Sequence, residues 1–286
     1  MSNAQKSMVK DVVNNWPYPT LFAHRGAGKS APENTLAAIK LGAAHQYCGF
    51  EFDVKLSQEG VAILMHDDKL DRTTNGHGAV AVASIAELEQ LDAGSWHSAA
   101  FAGEKIPRFS AVTKYLHGHG LMANVEIKPC FGREIETGKQ VAEMCVESWR
   151  DRHVKPLISS FSEMSLEAAH KVAGGYPLGL LVTTPCEDHL PMLEALGCVS
   201  IHGHHESLDA DTIRFFHDHG YRVLTYTVND IDRVTQLLAW GVDGIFTDEI
   251  DKMAKRFPAC LLPTGKPMMN EQTDEMEWLN AIPPMP

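Results

Sequence analysis

The stretch that decides the fold is Leu21-Phe-Ala-His-Arg-Gly-Ala-Gly-Lys-Ser-Ala-Pro-Glu-Asn-Thr35. Its first residues, preceded by Thr20, form an apolar run typical of a buried strand, and the Ala-rich run from Thr35 to Ala44 predicts a helix. His24 and Arg25 stand between the two, where the backbone leaves the core. The stretch therefore predicts a strand–helix unit that presents charged side chains at the carboxyl end of the strand, where α/β barrels build their sites.

Short apolar runs alternate with longer amphipathic stretches along most of the chain. Strands are predicted at residues 20–23, 49–56, 61–65, 122–127, 157–161, 178–182, 198–202, 222–228 and 244–246. Helices are predicted at 137–150, 163–173, 209–219 and 230–240. If 49–56 and 61–65 form a hairpin or one interrupted strand, the chain has about eight units, as a closed TIM (β/α)8 barrel requires. A doubly wound open sheet is the structural alternative.

Residues 67–108 interrupt this alternation. The segment is rich in Gly, Ala, Ser and Asn, and its helical pattern at 84–91 is short. We therefore expect a small insertion over the barrel mouth, within a barrel domain that spans residues 20–257. Residues 1–19 and 258–286 are expected to form N-terminal and C-terminal extensions, and the second of these is Pro-rich and lacks periodicity.

The charge and the cysteines restrict the classes of partner and compartment. A net charge of −12 argues against nucleic acid and against stable association with an anionic membrane. The six cysteines include no CxxC pair and are expected to be buried free thiols. The N-terminus is polar, and no apolar run is long enough to span a bilayer, so the expected location is the cytoplasm. The sequence leaves the oligomeric state open, a homo-oligomer included.

Charged residues stand at the ends of several predicted strands. Glu51 and Asp53 interrupt the strand 49–56, and their spacing of two places both on one face. Glu126 and Lys128 share a face for the same reason, and His66 ends the run 61–65. Taken singly, these residues also fit the solvated face of an edge strand, a structural ion pair and a surface histidine. Together they indicate a site, because the carboxyl ends of barrel strands converge on one mouth.

The residue types indicate the chemistry of such a site. Three carboxylates, those of Glu51, Asp53 and Glu126, offer oxygen ligands to a hard divalent cation, Mg²⁺ or Ca²⁺. Arg25 and Lys128 suit the oxygens of a phosphate group. His24 and His66 exchange protons near neutral pH, one as base and the other as acid. The combination predicts cleavage of a phosphate diester.

The same residues lie in motifs that resemble those of the glycerophosphodiester phosphodiesterases. The motifs are His24-Arg-Gly26, Pro32-Glu-Asn-Thr35, Glu51-Phe-Asp53, His66-Asp67, Arg72-Thr-Thr74, Glu126-Ile-Lys128, Thr225-Tyr-Thr-Val-Asn229 and Phe246-Thr-Asp248. Asn15-Trp-Pro-Tyr-Pro19 and Tyr226-Thr-Val-Asn229 are most similar to the cytoplasmic bacterial branch associated with glycerol-3-phosphate uptake. The resemblance implies a TIM barrel with a small inserted lobe that cleaves deacylated phospholipids to glycerol 3-phosphate and an alcohol.

The resemblance also assigns roles by position. It implies His24 and His66 as the acid–base pair, a metal on Glu51, Asp53 and Glu126, and phosphate on Arg25 and Lys128. Glu33 and Asn34 are expected to support these residues. Tyr226 stands where many members have Trp, so the wall of the alcohol or glycerol pocket is expected to differ.

Two other functions stay open at this stage. One is a lysophospholipase D-like phosphodiesterase, which the polar insertion disfavours, and the other is a non-catalytic sensor of phosphodiesters. Head-group preference, Mg²⁺ against Ca²⁺, the nucleophile and the identity of the base are not determined by the sequence. The motif Ile201-His-Gly-His-His205 is interpreted as solvent-facing histidines in a loop.

Overall fold

The computed structural model describes residues 12–263, so the outer parts of the predicted extensions, 1–11 and 264–286, lie outside the described residues. Parallel strands form one sheet in which β1 pairs with both β2 and β9, so that the sheet closes on itself. The strands are β1 (Leu21–Ala23), β2 (Gly49–Leu56), β3 (Ala62–Leu64), β4 (Met122–Ile127), β5 (Leu157–Ser160), β6 (Leu178–Val182), β7 (Ser200–His204), β8 (Arg222–Tyr226) and β9 (Gly244–Thr247). The predicted TIM (β/α)8 barrel is confirmed.

β3 stands outside the closed barrel. It pairs antiparallel with the end of β2, in the register Val54 opposite Leu64 and Leu56 opposite Ala62. Residues 49–56 and 61–65 therefore form the predicted hairpin, and eight parallel strands remain for the barrel wall. The hairpin also brings His66 back toward Asp53, because β3 starts opposite Leu56 and runs antiparallel to β2, so that the Met65 N–H donates to the Asp53 carbonyl.

Most helices cover the outside of the barrel, and one short helix lies in the segment 67–108. They are α1 (Leu36–Ala44), α2 (Ile85–Leu88), α3 (Phe109–Gly118), α4 (Glu134–Ser148), α5 (Glu163–Ala173), α6 (Leu190–Leu196), α7 (Ala210–Asp218), α8 (Ile231–Ala239) and α9 (Ile250–Arg256). Several begin at side chains that accept a hydrogen bond from the first turn: those of Thr35, Ser162, Asp209 and Asp230. These caps satisfy backbone N–H groups that have no partner inside the helix, and thereby fix where each helix starts.

The segment 67–108 has a small hydrophobic core of its own. Leu70, Val80, Leu88 and Ile106 pack with Ile63 of the hairpin and are buried. Short 3₁₀ turns, Val80–Val82 and Ala99–Phe101, flank α2 within it. The segment is tied to the loop after β1, because the His97 ring nitrogen Nε2 lies 2.9 Å from the carbonyl oxygen of Lys29. It therefore lies beside the carboxyl end of the barrel, where insertions can shape a site.

Two expectations need correction. β7 spans Ser200–His204 instead of 198–202, and His202 is fully buried in it, so the interpretation of this motif as loop histidines was wrong for His202. The cysteines are free thiols, but Cys186 is exposed and Cys260 is half-buried, against the expectation of burial. Among residues 12–263, no helix combines the length and apolarity that a bilayer span requires.

Candidate active site

The carboxyl ends of neighbouring strands bring the predicted charged residues together. Glu51 and Asp53 project from β2 and Glu126 projects from β4, which pairs with β2 so that Asp53 stands opposite Glu126. One carboxylate oxygen from each of the three lies within 4.8 Å of the others, and all three side chains are buried. Three buried carboxylates at this separation repel one another strongly unless a cation or protons offset their charge. This triad could bind a metal ion.

The three carboxyl groups differ in how that charge is offset. Burial, together with the charge of Asp53, raises the pKa of Glu51 to about 8, and Glu51 Oε1 is a buried atom without a hydrogen-bond partner in the part of the chain that the structure describes. Burial and Asp53 also raise the pKa of Glu126. Burial also favours the protonated form of Asp53, but the charges of Arg25 and Lys128 outweigh burial and lower the pKa of Asp53 to about 2. Glu51 thus has an oxygen left free for a ligand.

Two basic side chains flank the triad. Lys128 Nζ lies 2.8 Å from Glu126 Oε1 and 3.7 Å from Asp53 Oδ1, and Arg25 Nε lies 3.5 Å from Asp53 Oδ2. Arg25 also donates its backbone N–H to Glu51 Oε2 at 2.9 Å, with a left-handed backbone of φ 51°. A non-glycine residue rarely adopts this conformation, and such strain is concentrated at functional sites. The two cations stand where a phosphate bound at the triad would meet them.

Glu33 and Asn34 hold this arrangement from the loop after β1. Asn34 donates from Nδ2 to Asp53 Oδ2 at 2.8 Å and accepts from the Asp53 backbone N–H at 3.0 Å. Glu33 accepts from Arg25 Nη1 at 2.7 Å. Asn34 therefore fixes the rotamer of Asp53, and Glu33 fixes the guanidinium of Arg25.

Each predicted acid–base histidine is paired with a carboxylate. His24 Nδ1 lies 2.6 Å from Asp248 Oδ1, while its Nε2 lies 3.7 Å from Glu51 Oε2. His66 Nδ1 lies 2.6 Å from Asp67 Oδ1. In both cases the carboxylate orients the ring through Nδ1, which leaves Nε2 as the nitrogen available for proton transfer. This nitrogen points toward Glu51 in the case of His24.

The roles of three residues were not predicted, although the motifs that contain them were quoted. Asp248 follows β9 and also accepts from Asn229 Nδ2 at 3.1 Å, so Asn229 supports the carboxylate that orients His24. Arg72 binds the carboxylates of Glu33 and Asp67. The available signal was position, because Asp248 follows a predicted strand of the barrel in the same way as His24 does.

A glycine makes the approach of Asp248 feasible. Gly28 has φ +53°, and a Cβ added there would lie 2.1 Å from the Asp248 Cα. Any side chain at position 28 would push Asp248 and with it His24. The Gly26-Ala-Gly28 turn of the opening stretch thus serves close packing of two strand ends.

A cavity of about 780 Å³ opens from these residues toward solvent. Its lining includes His66, Glu126 and Lys128, together with Phe161 and Met164, which follow β5 in the sequence. Tyr226 does not line the cavity; its ring packs edge-on against Phe161 at 5.7 Å, and its hydroxyl donates to the Val182 carbonyl at 2.9 Å. Tyr226 therefore acts on the cavity through Phe161.

Similarity to known proteins agrees with this site. A family model described as the glycerophosphoryl diester phosphodiesterase family matches residues 24–252. The glycerophosphodiester phosphodiesterase of Caldanaerobacter subterraneus is 31% identical over 233 residues, which cover 80% of this chain and 93% of that protein. The solved structure of an Oleispira antarctica phosphodiesterase in complex with the product sn-glycerol-3-phosphate aligns with a TM-score of 0.80 at 32% identity, over 86% of this chain and 99% of that chain. The chain belongs to the glycerophosphoryl diester phosphodiesterase family.

Proposed function

We propose that this enzyme hydrolyses glycerophosphodiesters in a metal-dependent reaction that releases sn-glycerol 3-phosphate and an alcohol. The observation that carries the proposal is the buried triad Glu51, Asp53 and Glu126, whose oxygens lie within 4.8 Å of one another beside Arg25 and Lys128. The related Oleispira antarctica phosphodiesterase binds sn-glycerol 3-phosphate as its product, which supports the same product here.

The triad fits a hard divalent cation, Mg²⁺ or Ca²⁺. Its donors are carboxylate oxygens, which these ions prefer, and one of them, Glu51 Oε1, is buried without a hydrogen-bond partner among residues 12–263. Glu51, Asp53 and Glu126 would hold the ion. When bound, a divalent cation offsets the negative charge of a phosphodiester and acidifies hydroxyl groups that it contacts.

The protein's own residues supply binding and proton transfer. The guanidinium of Arg25 and the ammonium of Lys128 bind the phosphate oxygens, each held in place by a carboxylate, Glu33 or Glu126. Of His24 and His66, one accepts at Nε2 the proton of the attacking nucleophile, and the other donates a proton to the departing alkoxide. The nucleophile is either water, which gives sn-glycerol 3-phosphate directly, or the neighbouring glycerol hydroxyl, which gives a cyclic phosphate that water then opens. Because the carboxylates orient both rings through Nδ1, the nitrogen that accepts or donates the proton, Nε2, stays directed toward the substrate.

The charge of the chain supports a small soluble substrate. A net charge of −12 disfavours binding to nucleic acid or to an anionic membrane surface, whereas two cations inside one cleft suffice for a single phosphodiester. We infer that the cavity beyond His66, Lys128 and Phe161 accommodates part of the diester outside the phosphate.

A coupled assay for released sn-glycerol 3-phosphate tests the proposal. Purified protein is treated with chelator and assayed on glycerophosphocholine, glycerophosphoethanolamine and glycerophosphoglycerol, with Mg²⁺ or Ca²⁺ restored separately. Release that depends on the restored metal supports the proposal. Glu51→Gln is expected to abolish it, whereas Glu167→Gln, which changes an exposed carboxylate paired with Lys171 and does not line the cavity, is the control.

Two outcomes contradict the proposal. Cleavage of a lysophospholipid without cleavage of any glycerophosphodiester would identify a lysophospholipase D-like enzyme. Binding of glycerophosphodiesters by calorimetry, with no turnover under any metal condition, would identify a sensor.

A further inference from the structure

Arg72 connects two parts of the site that have no direct bond to each other. Its Nη1 and Nη2 donate to Glu33 Oε2 and Oε1, both at 2.7 Å. Its Nε and Nη2 donate to Asp67 Oδ2 and Oδ1 at 2.7 and 2.9 Å. One guanidinium thus binds two carboxylates, each through both carboxylate oxygens.

Each of the two carboxylates also binds a second basic side chain. Glu33 Oε1 also accepts from Arg25 Nη1 at 2.7 Å, and Asp67 Oδ1 lies 2.6 Å from His66 Nδ1. Arg25 and His66 are therefore the two ends of a continuous chain of hydrogen-bonded charges, with Arg72 at its centre. The chain joins a cation beside the acidic triad to a histidine that lines the cavity.

The backbone that carries Arg72 is fastened independently of these bonds. Thr73 is buried, and Thr74 donates from its hydroxyl to the Leu70 carbonyl at 2.7 Å and accepts from the Gly76 N–H at 2.9 Å. Arg72 itself is 45% exposed, so its contribution to folding is small compared with that of a buried pair. Its four hydrogen bonds are placed for orientation of the two carboxylates.

We propose that Arg72 is a positioning residue, which holds His66 through Asp67 and Arg25 through Glu33 in the arrangement that the reaction requires. A planar guanidinium can bind two carboxylates side by side, whereas a lysine ammonium offers a point charge without that fork. Without Arg72, the Asp67 side chain retains only its bond to His66 among residues 12–263, and both carboxylates gain rotational freedom. The inference depends on the proposed function for its kinetic test only.

The kinetic test compares Arg72→Gln and Arg72→Lys with a matched control, Arg108→Gln. Arg108 is 46% exposed, belongs to the same segment and pairs with Glu89, but has no hydrogen bond to a site residue. We expect Arg72→Gln to lower kcat/KM about 10- to 100-fold, since small misplacements of reacting groups cost rates of this order. Arg72→Lys should fall between Arg72→Gln and wild type, and Arg108→Gln should match wild type.

A second test does not need turnover. The ring ¹⁵N signals of His66, assigned by their loss in His66→Gln, are expected to shift in Arg72→Gln and to stay in place in Arg108→Gln. Divalent-cation affinity should be unchanged in all variants, because Arg72 has no hydrogen bond to the triad. If Arg72→Gln fails to fold, Arg72→Lys replaces it in both measurements.

The outcomes separate this inference from the proposed function. A wild-type protein that cleaves no glycerophosphodiester contradicts the proposed function, and the His66 signals then decide the inference alone. Arg72 variants that match Arg108→Gln in kcat/KM and in the His66 signals would overturn it.

Discussion

His24 and His66 are both paired with a carboxylate, but the two pairs are built in different ways. His24 takes its partner, Asp248, from the opposite end of the sequence, because β1 and β9 are neighbours in the closed barrel. His66 takes its partner, Asp67, from the adjacent residue. The side chain of His24 is 15% exposed and that of His66 is 28% exposed. One pair therefore depends on barrel closure, and the other depends on the hairpin and the segment after it.

The surroundings of the two rings also differ in charge. Burial opposes a charge on His24, but the hydrogen bond to Asp248 and the charge of Glu51 outweigh it and raise its pKa. Burial lowers the pKa of His66, and the charges of Arg25 and Lys128 oppose the attraction of Asp53. The pKa values of the two histidines at this mouth are thus shifted in opposite directions by their neighbours, which is the arrangement expected of a site with one acid and one base.

Within the two histidine–carboxylate pairs, the largest expected effect follows from removing either ring. His24→Ala and His66→Ala should each lower kcat at least ~10²-fold, because the proposed reaction assigns a proton transfer to each ring. His77→Ala is the control, since His77 also contacts an aspartate, Asp71, but is 84% exposed. Near wild-type turnover in either of the first two variants would remove that histidine from the mechanism.

Substitution of the carboxylate partners should distinguish the two histidine–carboxylate pairs. Asp248→Asn and Asp67→Asn are each expected to lower kcat about 10-fold, because the ring they orient loses its fixed direction. Asp248→Asn should also lower Tm, since Asp248 is packed against Gly28 and accepts from Asn229. Asp67→Asn should leave Tm nearly unchanged. Thermal melts and kinetics on the same preparations decide, and equal losses of Tm would contradict the difference between the pairs.

Glu51 lies beside His24, and its replacement is expected to change the stability of the protein less than Asp248→Asn does. In chelator, the raised pKa of Glu51, about 8 against an unfolded value of 4.5, means that the folded state binds more protons between these pH values. Its contribution to stability is therefore present below pH 4.5 and lost as the pH rises through about 8. Denaturant titrations should show this loss in wild type and a smaller one in Glu51→Gln.

Added Mg²⁺ or Ca²⁺ supplies the complementary result. A ligand that binds only the folded state raises Tm, so wild type should gain stability from the cation and Glu51→Gln should gain less. Glu167→Gln serves as the control and should respond as wild type does. A cation response that survives in Glu51→Gln undiminished would contradict the assignment of the triad.

The smallest expected effect concerns His202, a histidine that lacks a carboxylate partner among the described contacts. It is fully buried, lies 2.9 Å from the Ser200 hydroxyl, and has a pKa lowered by burial to about 3. Because an unfolded histidine titrates near 6.5, stability from this residue is present above pH 6.5 and lost as the pH falls toward 3.

In His202→Gln, the free energy of unfolding should fall less steeply as the pH decreases, by a fraction of the total change. Urea unfolding at several pH values between 7 and 4 measures it, with His77→Ala as the exposed control. An unchanged slope in His202→Gln would show that the ring takes up its proton in the folded state as readily as in the unfolded state.

Much of the fold could be predicted from the sequence because local patterns and tertiary structure agree. β2, β4, β6 and α5 begin and end where the apolar runs and the helical period predict. The shared face of Glu51 and Asp53 followed from strand alternation alone, and the structure confirms that Glu126 joins them. The triad was predictable because burial of carboxylates inside apolar strands is energetically unfavourable unless they are paired or coordinate a cation.

The remaining features depend on partners distant in sequence. β7 continues to His204 because β6 pairs with it as far as Gly203 and β8 pairs with it as far as His204, and this pairing cannot be seen in residues 198–205 alone. The contact between His24 and Asp248 required barrel closure. The bonds of Arg72 to Glu33 required the segment 67–108 and the loop after β1 to meet, 39 residues apart. Local patterns predicted the strands and several of the helices, but not these contacts between elements.

The central claim is that the acidic triad at the barrel mouth holds the cation of a phosphodiesterase. The most direct test is a crystal structure of the protein with Mn²⁺ and sn-glycerol 3-phosphate, with anomalous scattering used to locate the metal. The account predicts a metal peak within about 2.0–2.6 Å of oxygens of Glu51, Asp53 and Glu126, with the phosphate against Arg25 and Lys128. A metal bound elsewhere, in crystals of an enzyme whose activity a chelator abolishes, would contradict it.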